Sequence, residues 1–148
     1  MARTTSDPDR LAAHLLPRLS RLTQALARGA TGLSRTQISV LRTLRDEGPT
    51  RISNLAARER VTQPTMTALV TRLEQQRLVE RRADPADGRA VPVSITPAGG
   101  AALAAAVAEI EATLAGQIAH LADTDRSALE AILPVFDRLV TTHQEHRS

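Results

Sequence analysis

The chain has 148 residues, 19 basic against 16 acidic side chains, four His and no Cys. A chain of this length is expected to form one domain whose core needs no metal or disulfide staple, and the missing thiols exclude disulfide frameworks, thiolate zinc sites, iron–sulfur clusters and cysteine-based catalysis or redox sensing. All 19 basic residues are Arg, and counting by region gives net charges of +3 over residues 1–33, +4 over 34–100 and −4 over 101–148, a basic middle of the kind that binds nucleic acid.

No unbroken run of about 18 apolar residues is present, so no membrane span is expected. Residues 1–9 lack the apolar core of a signal peptide, and a soluble, cytoplasmic protein is the expectation.

In chain order, Ser6-Asp7-Pro8-Asp9 reads as a helix start, with a capping side chain, a proline in the first turn and an acid that favours the helix dipole. Leu11, Leu15, Leu19, Leu22 and Leu26 then follow at spacings of three and four, a single apolar stripe. Pro17 falls inside that stripe and predicts a kink over residues 13–16; the glycines at 29 and 32 end the helix.

Ser34-x-x-Gln37 is a capping box that opens a second helix carrying Ile38, Leu41 and Leu44, which Gly48-Pro49 stops. Thr50-Arg51-Ile52 is a short extended stretch, and Ser53 is expected to cap a third helix reaching about residue 58, with Leu55 and Ala56 inward. Thr62 begins a fourth helix that tolerates Pro64 in its first turn; Met66, Leu69, Val70 and Leu73 form its inward face. Its opposite face is Pro64, Ala68, Thr71 and Gln75, flanked by Thr67 and Arg72, small and polar with little to bury.

Residues 78–82 and 90–95 read as two strands joined by the turn chemistry of Asp84-Pro85-Ala86-Asp87-Gly88-Arg89, hence a β-hairpin. Thr96-Pro97 starts a long Ala-rich helix to about residue 121, and a last helix runs over about 125–143 with Leu129, Ile132, Leu133, Phe136, Leu139 and Val140, bent at Pro134.

Helix, short strand, helix, tight turn, helix, hairpin is the order of a winged helix-turn-helix. A helix of about 10–12 Å diameter fits the major groove of duplex DNA, where its first residues reach base edges. Those residues here are Thr62, Gln63, Pro64, Thr65, Thr67 and Ala68, with Thr71 and Arg72 further along. Glutamine pairs with adenine N6 and N7, while Thr and Ala offer methyl contact to thymine. The hairpin tip Asp87, Gly88 and Arg89 projects a cation towards the adjacent minor groove. Ser34, Thr36, Ser53 and Asn54 lie at helix N-termini that bind phosphate, and Arg51, Arg81 and Arg82 are further phosphate contacts or solubilising charges. Phe136 is the single aromatic residue, which argues against the base-stacking modes of single-strand and RNA binders.

The ordered set Leu33-Ser34-Arg35-Thr36-Gln37, Leu41-x-x-Leu44, Ile52-Ser53-Asn54-Leu55-Ala56, Val61 to Thr67, Leu69 to Glu74, Leu78-Val79-Glu80-Arg81, Asp87-Gly88-Arg89 and Ile95-Thr96-Pro97-Ala98-Gly99 resembles the MarR (multiple antibiotic resistance regulator) family of transcription factors. The resemblance covers about residues 33–100, and the flanking helices fit the family's layout. It implies a mainly α fold: one MarR-like domain over 1–148, a winged helix-turn-helix lobe at 33–100 with a β-hairpin wing, and long terminal helices at 6–30 and 101–146 that form a dimerisation region. It further implies a homodimer on a pseudo-palindromic operator, with Arg89 in the minor groove and Asp87 orienting it. Where the family often has a second arginine beside the wing arginine, this chain has Gly88 and Ala90.

The expected partners are therefore double-stranded DNA, a second copy of the chain, and a small apolar or phenolic effector that releases a repressor. An effector pocket would use Leu15, Leu19, Ile38 and Leu41. No cofactor is expected. His14, His120, His143 and His146 lack a matched acid cluster and do not read as a metal site, although a metal-responsive regulator and a dimeric protein-interaction module stand as alternatives. Catalysis is not expected: Cys and Lys are absent, and no glycine-rich phosphate loop or paired-carboxylate motif is present.

Overall fold

A computed structural model describes residues 7–27, 32–81 and 91–145, and of residues 27 and 143–145 the backbone alone. In chain order the elements are α1 (Pro8–Ala27), α2 (Arg35–Glu47), α3 (Ile52–Glu59), α4 (Gln63–Gln75), β1 (Val79–Arg81), β2 (Val93–Ile95), α5 (Pro97–Ala119) and α6 (Asp123–Glu145). The fold is mainly α with one two-stranded antiparallel sheet, registered Val79↔Ile95, Glu80↔Ser94 and Arg81↔Val93. Two compact units divide at residues 111 and 112, so α1 groups with the 33–100 lobe rather than with the C-terminal helix.

Local chemistry sets each boundary. Asp7 opens α1, its carboxylate accepting from the Asp9 amide at 3.2 Å, and the helix continues through Pro17. The capping box forms as the sequence predicts: Ser34 Oγ accepts from the Gln37 amide at 3.2 Å, and Gln37 Oε1 accepts from the Ser34 amide at 2.7 Å. At the other end of α2, Gly48 takes φ 80 and its amide donates to Leu44 O at 3.1 Å. That positive φ is why glycine stands there.

The expected cap of α3 is corrected. Its N-cap is Arg51, and no side chain caps it; Ser53 lies inside the first turn. The Thr50-Arg51-Ile52 stretch is committed elsewhere, because Thr50 exchanges two 2.9 Å backbone hydrogen bonds with Val93 and Ile52 already belongs to the helix. Those two bonds hang the wing strand on the lobe, and the pairing of non-consecutive segments was not visible in the local pattern.

The lobe core contains Val40, Leu41, Leu44, Leu55, Met66, Val70, Leu73, Val93 and Leu103, all fully buried. Of the inward residues expected on α4, Leu69 is half-buried and packs against this core. The leucine stripe of α1 behaves differently: Leu26 is buried, Leu15 and Leu19 are half-buried, and Leu11 and Leu22 are exposed. In the C-terminal unit, α6 exposes Leu129, Ile132, Leu133, Val135, Leu139 and Val140. Arg126 holds the turn before it by pairing with Asp123 and donating to Leu121 O at 2.8 Å.

One expectation about membranes needs correction. By length and composition α5 is apolar enough to cross a bilayer, since averaging along the helix tolerates Glu109 and Glu111, which interrupt an unbroken run. Much of that apolarity is alanine; Leu103 and Ala106 are buried in the lobe core, while most of the apolar stretch is not.

Candidate nucleic-acid interface

Helix α4 presents the face that the sequence assigns to DNA. Thr62 caps it, its Oγ1 accepting from the Thr65 amide at 3.4 Å and lying 2.8 Å from Thr65 Oγ1; Pro64 sits in the first turn, where its missing N–H costs nothing. Met66, Val70 and Leu73 are completely buried and fix the helix on the lobe. Gln63, Pro64, Thr65, Ala68 and Arg72 are consequently exposed, and Thr67 and Thr71 half-buried.

The polar groups on this face are not equally available. Thr62 and Thr65 spend their hydroxyls on the cap. Thr71 Oγ1 accepts from Arg81 at 3.2 Å, and the same guanidinium is 3.2 Å from Glu74, so β1 is tied to α4 by one side chain. Arg81, expected at phosphate, is thus engaged inside the lobe. Gln63 stands exposed at the N-terminal end of α4, and a glutamine amide is a group that can pair with a base edge bidentately.

A second surface flanks α3. Arg51, Ser53 and Asn54 are exposed and line an open cleft of about 750 Å³ with Thr50, Arg58 and Pro92. Glu47, the acidic residue of that cleft, pairs with Arg58, which raises the guanidinium's pKa above its ordinary value. Nearby, Asp46 is held below the usual carboxylate range by its hydrogen bond to Arg45 at 2.7 Å, and Arg45 is raised in turn. Ser34 is committed to its capping box and Thr36 is half-buried. Arg82, Asp87, Gly88 and Arg89 lie outside the described residues.

The expected effector residues are only partly brought together. Leu19 and Ile38 line a cleft of about 490 Å³ between α1, α2 and α5, with Leu26 and Ile110 completing its apolar walls. Leu41 is instead fully buried in the core and Leu15 lies outside that cleft. The sequence reading missed the polar part: Ser20 and Thr23 of α1, and Arg35, Ser39 and Arg42 of α2. The signal was available, since residues 35, 38, 39 and 42 share one helix face by spacing. Among the described residues no group of three or more His, Cys, Asp or Glu could hold a metal. His120, just past the end of α5, has its Nδ1 2.7 Å from Gly116 O of that helix.

Comparison with known proteins agrees with this geometry. The MarR family model matches residues 33–91. The HTH-type transcriptional regulator MT0903.1 of Mycobacterium tuberculosis is 34% identical over 133 residues, covering 88% of this chain and 93% of that protein. Among solved structures, the transcriptional regulator Tm0710 of Thermotoga maritima superposes with a TM-score of 0.73 at 23% identity, covering 92% of this chain and 98% of that one. A MepR-like protein complexed with pseudoligands gives a TM-score of 0.55 at 28% identity over 95% of this chain and 96% of that one. An anchored helix with a small, polar outward face, tied to a two-stranded wing and matched by these relatives along nearly the whole chain, settles the assignment: the chain belongs to the MarR family of DNA-binding, winged helix-turn-helix transcriptional regulators.

Proposed function

We propose that this regulator acts as a homodimer that reads a pseudo-palindromic operator and is released from it by a small ligand. The observation that carries the reading is α4: three core residues with no exposed surface hold it while Gln63, Pro64, Thr65, Ala68 and Arg72 face outward. In this reading Thr62, Gln63, Pro64, Thr65, Thr67, Ala68, Thr71 and Arg72 form the major-groove surface, Asp87, Gly88 and Arg89 the wing, and Arg51, Ser53 and Asn54 the phosphate contacts. Two copies would place two such helices about one helical turn of DNA apart. Repression follows where the operator overlaps a promoter.

The dimer rests on exposed apolar side chains. Leu129, Leu133, Leu139 and Val140 of α6 are each more than two-fifths exposed, as are Leu11, Leu16 and Leu22 of α1. Patches of this kind on a regulator mark an association surface. The release step rests on the cleft lined by Leu19, Leu26, Ile38 and Ile110, whose size suits a small molecule; a MepR-like protein of similar fold is itself complexed with pseudoligands. A ligand there must bind the DNA-competent and released geometries with different affinity.

The test is binding of the purified protein to its own upstream intergenic DNA and to a scrambled duplex across a salt series. Tight binding to the native fragment alone, with a steep salt dependence, is the expected result. Weak binding to both, with no dependence on salt, would overturn the reading in favour of a protein-interaction module.

A further inference from the structure

Ser39 belongs to two environments at once. On one side it lines the cleft between α1, α2 and α5, one turn from both Arg35 and Arg42 on the same helix face. On the other, its hydroxyl donates a 2.6 Å hydrogen bond, half-buried, to Glu59 Oε1. Glu59 is the last residue of α3. After it come Arg60, held at φ 54, then Val61, whose amide donates to Ala56 O at 3.1 Å, then the cap residue Thr62 of α4. One side chain therefore links the cleft wall to the tight turn that aims the DNA-reading helix.

A serine hydroxyl carries one proton and can satisfy one strong acceptor at a time. The cleft combines the apolar walls of Leu19, Leu26, Ile38 and Ile110 with two guanidinium groups, and no acidic side chain is among the described residues that line it. Such a wall recognises a small molecule with an apolar body and an anionic head. We propose that Ser39 reports occupancy of this cleft to α4, the occupant being a small carboxylate with an apolar body. The carboxylate accepts the hydrogen bond of the Ser39 hydroxyl in place of Glu59, Glu59 loses its donor and repels the new anion, and the turn at Arg60 and Val61 relaxes. The Ser39–Glu59 bond and the occupant exclude one another, which is the differential affinity that ligand-driven release requires. This inference rests on the cleft being the effector site, as proposed above.

The experiment uses the full chain with octanoate as probe and octan-1-ol as its neutral counterpart. Calorimetry should show octanoate binding to wild type and to Ser39→Ala alike, with octan-1-ol weaker. In wild type octanoate should weaken binding of a labelled upstream duplex about tenfold, the scale of one hydrogen bond to a charged group. Ser39→Ala should bind that duplex more weakly without ligand and lose the response to octanoate, while Ser39→Thr, which keeps the hydroxyl, should retain it. Without DNA, octanoate should speed amide exchange over residues 59–63 in wild type but not in Ser39→Ala.

Ser39→Ala that binds octanoate and still releases DNA as wild type does would overturn the relay and leave the cleft as the effector site. No binding of octanoate to wild type would overturn the relay together with the cleft reading. Equal binding of octan-1-ol would overturn the carboxylate.

Discussion

Gly99 on α5 stands against Leu78 at the entrance to β1 so closely that a Cβ built on it would overlap the Leu78 carbonyl oxygen and come within 2.9 Å of Ile95 Cγ1. The same carbonyl accepts from the Thr96 amide at 3.1 Å, and Thr96 Oγ1 both accepts from the Gly99 amide at 3.0 Å and donates to Arg77 O at 2.7 Å. The glycine is thus needed for close approach, since it is what lets the first turn of α5 lie on the base of the wing. Gly99→Ala is expected to destabilise the protein by about 1–3 kcal/mol, the cost of overpacking against backbone that cannot yield. Gly100→Ala, with nothing within 4 Å of its new Cβ, should be neutral or stabilising by up to about 1 kcal/mol. Urea denaturation of the pair checks the contrast, and equal midpoints would refute it.

Two serines that look alike in sequence should separate in the same assay. Ser34 makes both bonds of a capping box, so Ser34→Ala is expected to cost roughly 1 kcal/mol. Ser53 caps nothing, and Ser53→Ala should stay within about 0.5 kcal/mol.

These two serines also mark what the sequence could tell. Caps, glycine stops and the inward faces of α2 and α4 were legible because each is decided within a few residues: Ser34 with Gln37, Gly48 after Leu44, Met66 with Val70 and Leu73. Pairings between distant segments were not. Thr50 bonds Val93, and that tie turns Arg51 rather than Ser53 into the first cap position of α3. Arg81 read as a free cation because its partners Glu74 and Thr71 lie on another element. Leu41 and Ile38 occupy adjacent stripes of one helix, and only the packing of α1 and α5 decides which of them faces the cleft.

Arg81 therefore carries a prediction of its own. Its ion pair with Glu74 is a third exposed on each side, so it contributes under about 1 kcal/mol to stability. Glu74→Gln should leave the melting temperature nearly unchanged yet release a cation beside α4. The salt slope of DNA binding should then steepen by about 0.9, one added phosphate contact. An unchanged slope would mean that Arg81 stays on Thr71.

Base reading and phosphate anchoring are expected to separate between Gln63 and Arg89. Gln63→Ala should relax preference at one base pair, at about 1–3 kcal/mol, with little change on random DNA. Arg89→Ala should weaken native and random duplexes alike and lower the salt slope by about 1. Equal losses on both duplexes for both variants would contradict the division.

The proposed dimer carries a prediction at the C-terminal helix. Leu133 and Leu139 of α6 are 59% and 55% exposed, so in a lone chain a charged replacement would change stability by about 0.5 kcal/mol or less. In a dimer seam the same replacement buries a carboxylate without a partner and costs several kcal/mol. Leu133→Glu combined with Leu139→Glu is accordingly expected to keep the helical circular dichroism of the lobe while halving the mass seen by sedimentation. Operator affinity should fall with it, because one lobe alone reaches a single half-site. A double variant that sediments and binds as wild type does would move the seam away from these two positions of α6.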